Sequence, residues 1–156
     1  MNYVLAQANA AIMKGSLNDP SMQSMASQIP DINTLAERDP GFIWRIKNVP
    51  PGSLASIKNY LRLESEDRIF FNLSVWRSLE TLKRFTYETA HKGLLREKHS
   101  WVPASERANY VLWWLPEGDI PTINEAASKF TELDSRGPTE RAFTFRSPYP
   151  PPTIED

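Results

Sequence analysis

Ile69-Phe70-Phe71-Asn72-Leu73-Ser74-Val75-Trp76 alternates with the period of two that marks a β-strand. Ile69, Phe71, Leu73 and Val75 fall on one side and read as core. Phe70, Asn72, Ser74 and Trp76 fall on the other. That second side is aromatic at both ends and polar between, which suits neither open water nor a dry interior. Upstream, Tyr3–Ala8 and Phe42–Lys47 are predicted strands. Between them Asn18-Asp19-Pro20 opens a helix, with Asp19 as its cap and Pro20 at the first helical position. Met22, Met25, Ala26, Ile29, Ile32, Leu35 and Ala36 then recur at helical spacing. Pro30 removes one backbone bond inside that run and is expected to kink or split the helix. Asp39-Pro40-Gly41 ends it.

Val49–Asp67 is a long connection opened by Pro50-Pro51-Gly52, with a short helix expected over Leu54–Leu61. Downstream of the quoted strand, Ser78 caps a helix whose Leu79, Leu82, Phe85 and Thr89 face inward. Gly93 is expected to break it before a second helical piece reaching Lys98. Asn109–Leu115 is a further strand. Thr122-Ile123-Asn124-Glu125 is a capping box opening a last helix, with Ala126, Ala127, Phe130 and Leu133 inward. Ala142–Arg146 reads as a short strand or arm. The first six elements of the order β-α-β-(loop)-β-α-β-α-(β) are the split βαβ arrangement of an α+β, ferredoxin-like sheet. One domain is expected over residues 1–146, followed by a proline-rich tail over 147–156. Such a sheet carries helices on one face. The mixed face of Phe70, Asn72, Ser74 and Trp76 is therefore expected to meet a second copy of the chain.

With 156 residues and 40% hydrophobic content, the chain can bury a real core. A net charge of −1 argues against nucleic-acid binding, which needs a basic stripe. The absence of cysteine excludes disulfides, thiolate metal sites and a cysteine nucleophile. No apolar run approaches the ~20 residues that span a bilayer. A soluble cytoplasmic protein, with no membrane partner, is the expectation.

Pro40-Gly41-Phe42-Ile43-Trp44-Arg45, Asn72-Leu73-Ser74-Val75-Trp76, Tyr87-Glu88-Thr89-Ala90-His91, Trp101-Val102, Val111-Leu112-Trp113-Trp114-Leu115-Pro116 and Ala142-Phe143-Thr144-Phe145 form a specific set. Together they resemble an uncharacterised-domain family of the dimeric α+β barrel superfamily, which includes antibiotic-biosynthesis-monooxygenase-like proteins. The resemblance implies a homodimer in which two sheets pack face to face, with a pocket between sheet and helices in each protomer. Some relatives in that superfamily are cofactor-free oxygenases, cyclases or isomerases. Others bind haem through a histidine.

His91, one of two histidines, follows Tyr87 by four residues on one helical face. An imidazole titrates near neutral pH, so His91 is the candidate acid/base and Tyr87 its companion. The plainer reading is a histidine that only caps or hydrogen-bonds. His99 lies about 80° round an ideal helix from His91, so the two do not converge on a metal. Glu88-x-x-His91 is a single copy of a spacing that di-iron sites need twice, so no protein-held metal is expected. Trp44, Trp76, Trp101 and Trp113 are candidate pocket walls, although tryptophans more often serve as core. Asn72 and Ser74, set between Phe70 and Trp76, could orient a ligand carbonyl, or pair across an interface. Arg45 could take an acidic group or form a surface ion pair. No P-loop, dinucleotide fingerprint or serine elbow is present.

Three readings follow. The first is a small cofactor-independent cyclase, isomerase or oxygenase acting on a hydrophobic aromatic or polyketide-like molecule. The second is a non-catalytic ligand-binding or structural homodimer. The third is a haem protein with His91 as axial ligand.

Overall fold

The computed structural model describes residues 2–93, 101–103 and 107–153. Four antiparallel strands form one sheet in the order β2-β3-β1-β4, where β1 is Tyr3–Ile12, β2 Phe42–Arg45, β3 Ile69–Trp76 and β4 Tyr110–Pro116. The helices are α1 (Gln23–Arg38), α2 (Ala55–Leu61), α3 (Leu79–His91) and α4 (Ile123–Arg136). This is a ferredoxin-like α+β arrangement with one helix added in the β2–β3 connection and another after β4. The helical piece expected beyond Gly93, and His99 with it, lies outside the described residues.

β3 occupies the eight residues read from its alternation. β1 runs four residues further than predicted. Its alanines and amides have weak strand preference alone, but β1 is the central strand and pairs with β3 and β4 on both sides. β2 is shorter than predicted, and its register shifts between Phe42 and Trp44. The shift sets Trp44 opposite Val75 and turns it to the side facing α2 and α4, while Phe42 meets Trp76 edge-on at 5.6 Å.

Asp19 caps a 3-10 turn, Pro20–Met22, that leads into α1. α1 continues through Pro30 as one element, so the expected split does not occur. Pro30 is exposed, and a single missing donor on the solvent side is tolerated. Ser78 and Thr122 open α3 and α4 through capping boxes, each side chain accepting the backbone N–H three residues on.

The mixed face, expected to meet a second copy of the chain, is instead covered by the chain's own α1 and α3. Trp76 lies beneath α1 and α3, packed with Ala36, Leu82 and, at 4.8 Å, Phe85. The opposite face holds Ala6, Ala8, Leu73, Val75 and Trp113, and it packs against Ile57 and Tyr60 of α2 and Phe130 and Leu133 of α4. The two added helices supply the cover that a bare split βαβ sheet lacks. After α4 the chain returns as an arm along β4. Leu112 and Phe143 exchange backbone bonds at 2.9 Å, and Phe143 is fully buried. The arm stays docked beyond Arg146, since the Trp114 indole donates to the Tyr149 carbonyl at 2.9 Å.

Candidate functional site

The register of β1 against β3 places Leu5 opposite Trp76, Gln7 opposite Ser74 and Asn9 opposite Asn72. These side chains lie on the face beneath α1 and α3. They form a directed chain of hydrogen bonds. The Trp76 indole N–H donates to Ser74 Oγ at 3.0 Å. Ser74 Oγ–H donates to Gln7 Oε1 at 2.8 Å. The Gln7 amide nitrogen donates to Asn9 Oδ1.

An indole N–H can only donate, so it fixes the direction of every later bond. Ser74 Oγ accepts the indole N–H and directs its own O–H onward to Gln7. Gln7 then presents its oxygen to Ser74 and its nitrogen to Asn9. Asn9 is left with its NH2 group as the free end. Asn72 lies beside it, and among the described residues no side-chain hydrogen bond reaches Asn72. The chain begins in the core, where Ser74 and Trp76 are buried, and ends at Asn9 and Asn72, which are half-buried. Phe70 flanks this end on β3 and packs with Met13, Met22, Met25 and Trp101. Tyr110 faces Asn9 from β4. The arrangement offers amide donors to an acceptor atom at the edge of an apolar wall.

Ser74 and Trp76 thus belong to the hydrogen-bonded row, while Asn72 and Phe70 lie beside its half-buried end, Phe70 within the methionine cluster that also holds Trp101. Gln7 and Asn9 were missed by the sequence reading. Their signal was a polar alternation inside an apolar run, cut short by ending that strand at Ala8.

The four tryptophans predicted as walls do not converge. Trp76 and Trp101 accompany the α1/α3 face, while Trp44 and Trp113 pack on the α2/α4 face. Trp113 is 1% exposed and its indole N–H has no hydrogen-bond partner among the described residues. Arg45 ties β2 to α1: its Nε donates to Glu37 Oε1 at 2.7 Å and its Nη1 to the Ile46 carbonyl at 3.2 Å. That bond holds the Glu37 carboxyl below its ordinary range. Arg45 therefore makes the ion pair that was its plainer reading.

His91 is exposed, and Tyr87 is 70% exposed. Their rings stack at 6.0 Å on the outer side of α3. Leu82, Phe85 and Thr89 turn inward. At about 100° per residue, Tyr87 lies about 140° and His91 about 180° from Leu82. Within one chain the aromatic strands are not behind His91, and the pair expected as acid/base stands outside the polar network. Among the described residues no apolar slot for a macrocycle surrounds His91. Among the described residues no group of three His, Cys, Asp or Glu side chains is placed to hold a metal. No helix among them is long and apolar enough to cross a membrane.

The family model described as "Domain of unknown function (DUF3291)" matches residues 4–156. No curated protein matches the chain. Among solved structures, SnoaB, a cofactor-independent oxygenase from Streptomyces nogalater, is similar at 12% sequence identity with a TM-score of 0.43, over 77% of this chain and 97% of its own.

Proposed function

From a chain that belongs to the DUF3291 family, and from the direction of its buried hydrogen bonds, we propose a small cofactor-independent enzyme of the cyclase, isomerase or oxygenase kind. Its substrate is a hydrophobic aromatic or polyketide-like molecule seated at the half-buried end of the polar row. The observation that carries this reading is the chain Trp76–Ser74–Gln7–Asn9, which ends in amide donors beside Phe70. Such donors suit a carbonyl that becomes an enolate. The acidic C–H bond of the substrate breaks and its proton passes to solvent at the open end of the row. The C–H electron pair moves into the enolate, and the amide N–H groups of Asn9 and Asn72 hold the resulting oxyanion. Preorganised donors of this kind contribute about 10²–10³ in rate. Phe70 and the methionine cluster exclude water and give the ring system its wall.

The test is titration of the protein and its Asn72→Leu variant with planar polycyclic phenols, read by indole fluorescence. The wild type is expected to be quenched saturably and the variant to bind at least about tenfold more weakly. Turnover of the same compounds separates catalysis from binding alone. Absence of quenching in the wild type overturns the site.

The exposure of Tyr87 favours a second reading, a homodimer whose partner covers the outer face of α3 and encloses His91 as acid/base. In that case His91→Ala lowers turnover by about 10²–10⁴ and the protein sediments as a dimer. In the first reading the same variant leaves turnover unchanged.

A further inference from the structure

Away from the polar row, α2 and α4 border a groove of about 510 Å³. That volume falls in the range of small-molecule sites. Both helices line it with polar side chains, among them Ser56 and Asn59 from α2 and Asn124 and Ser128 from α4. Ser56 Oγ donates to Asn124 Oδ1 across the gap at 2.8 Å, which fixes the spacing of the two helices.

Two guanidinium groups border the groove. Arg107 is held in place: it lies 5.5 Å above the Tyr60 ring centre and pairs with Asp134 at 3.5 Å. The Tyr60 hydroxyl donates to the Ala108 carbonyl at 2.8 Å, anchoring the floor beneath it. Arg62 ends α2 in the left-handed conformation, with φ 57° and ψ 42°. Glycine is the usual residue at such an end, because a Cβ there strains the backbone. Arginine therefore brings a conformational cost without helping the turn. Its side chain is exposed and makes no hydrogen bond or ion pair among the described residues. Among the described residues Asp134 is the single carboxylate lining the groove, against two guanidinium groups.

We propose that this groove binds a small hydroxylated organic phosphate. Arg62 and Arg107 take the phosphoryl oxygens, for which the guanidinium fork is shaped. The hydroxyl and carboxamide groups of Ser56, Asn59, Asn124 and Ser128 take the hydroxyls of its body. The site is independent of the polar row beneath α1 and α3.

Calorimetric titration of the whole chain with ribose 5-phosphate, inorganic phosphate and ribose tests this. Ribose 5-phosphate is expected to bind saturably below about 1 mM, inorganic phosphate at least about tenfold more weakly, and ribose not at all. Arg62→Gly is expected to lower ribose 5-phosphate affinity about tenfold while raising the melting temperature, because it relieves the left-handed residue. A merely structural Arg62 would raise stability without touching affinity. Asn72→Leu is expected to leave this binding unchanged. No saturable binding of ribose 5-phosphate, equal binding of inorganic phosphate, or unaltered affinity in Arg62→Gly each overturns the proposal.

Discussion

Two buried indoles separate what a hydrogen bond contributes from what packing contributes. Trp76 and Trp113 are both almost wholly enclosed, yet the first donates to Ser74 and the second has no acceptor among the described residues. Replacing either by Phe removes a similar volume. Only in Trp76→Phe does a neighbour lose its partner and the polar row lose its direction. Trp76→Phe is therefore expected to cost about 1–2 kcal/mol more than Trp113→Phe in urea denaturation. Equal losses would show that the row contributes nothing net. Tyr60 gives a pH signature at the same scale. Burial, with the Asp134 carboxylate nearby, pushes its phenol from 10.0 up to about 12. The unfolded chain thus releases this proton first. The stabilisation from Tyr60 is complete below pH 10 and is lost as pH rises towards about 12. Alkaline melting curves of Tyr60→Phe should fall less steeply across that window than those of the wild type.

The helices differ in how much strain each carries. α1 keeps a proline in its interior, at a position facing solvent. Pro30→Ala restores one backbone bond and disturbs no packing, so it is expected to stabilise the protein by about 1–3 kcal/mol. A lower melting temperature would show that Pro30 shapes the path of α1. The junction of β2 and α3 is the opposite case. A Cβ on Gly41 would come within 2.4 Å of the Thr81 side chain, which completes the capping box of α3. Gly41 also accepts the Arg77 N–H at 2.8 Å. Gly41→Ala cannot move away without loosening that pairing. It is expected to cost about 1–3 kcal/mol, read as a shifted denaturation midpoint.

At the scale of the molecule, one sheet is enclosed on both faces and closed along its β4 edge by the returning arm. Phe143 is the arm's anchor, packed against Trp114 and Tyr149. Phe143→Ala is expected to cost about 3–5 kcal/mol, a large part of the stability of an ordinary domain. Tyr87→Ala, on the open side of α3, should stay within about 0.5 kcal/mol. A large loss at Tyr87 measured only at high protein concentration would indicate a partner on that helix, and light scattering would then report a dimer.

Much of the local structure was legible in the residues alone. The alternation of Ile69–Trp76 set β3 and its two faces. Ser78 and the Thr122–Glu125 box marked where helices begin, because a cap is a contact within three residues. The stripe of Leu82, Phe85 and Thr89 also carried the outward turn of His91, a signal that the reading of His91 as a pocket acid/base passed over. Other features depended on distant partners. β1 extends through Asn9 and Ala11 because two neighbouring strands pair with it, and no local preference carries that information. The β2 register shift arises from fitting Trp44 and Phe42 to opposite faces. Gln7 joins Ser74 across 67 positions of sequence, so the polar row exists only once the register is set. The same holds for the cover given by α2 and α4. A segment's period says which of its sides is apolar. Which sheet face receives that side is decided by chain closure, and so only tertiary structure could turn an apparent dimer surface into an interior.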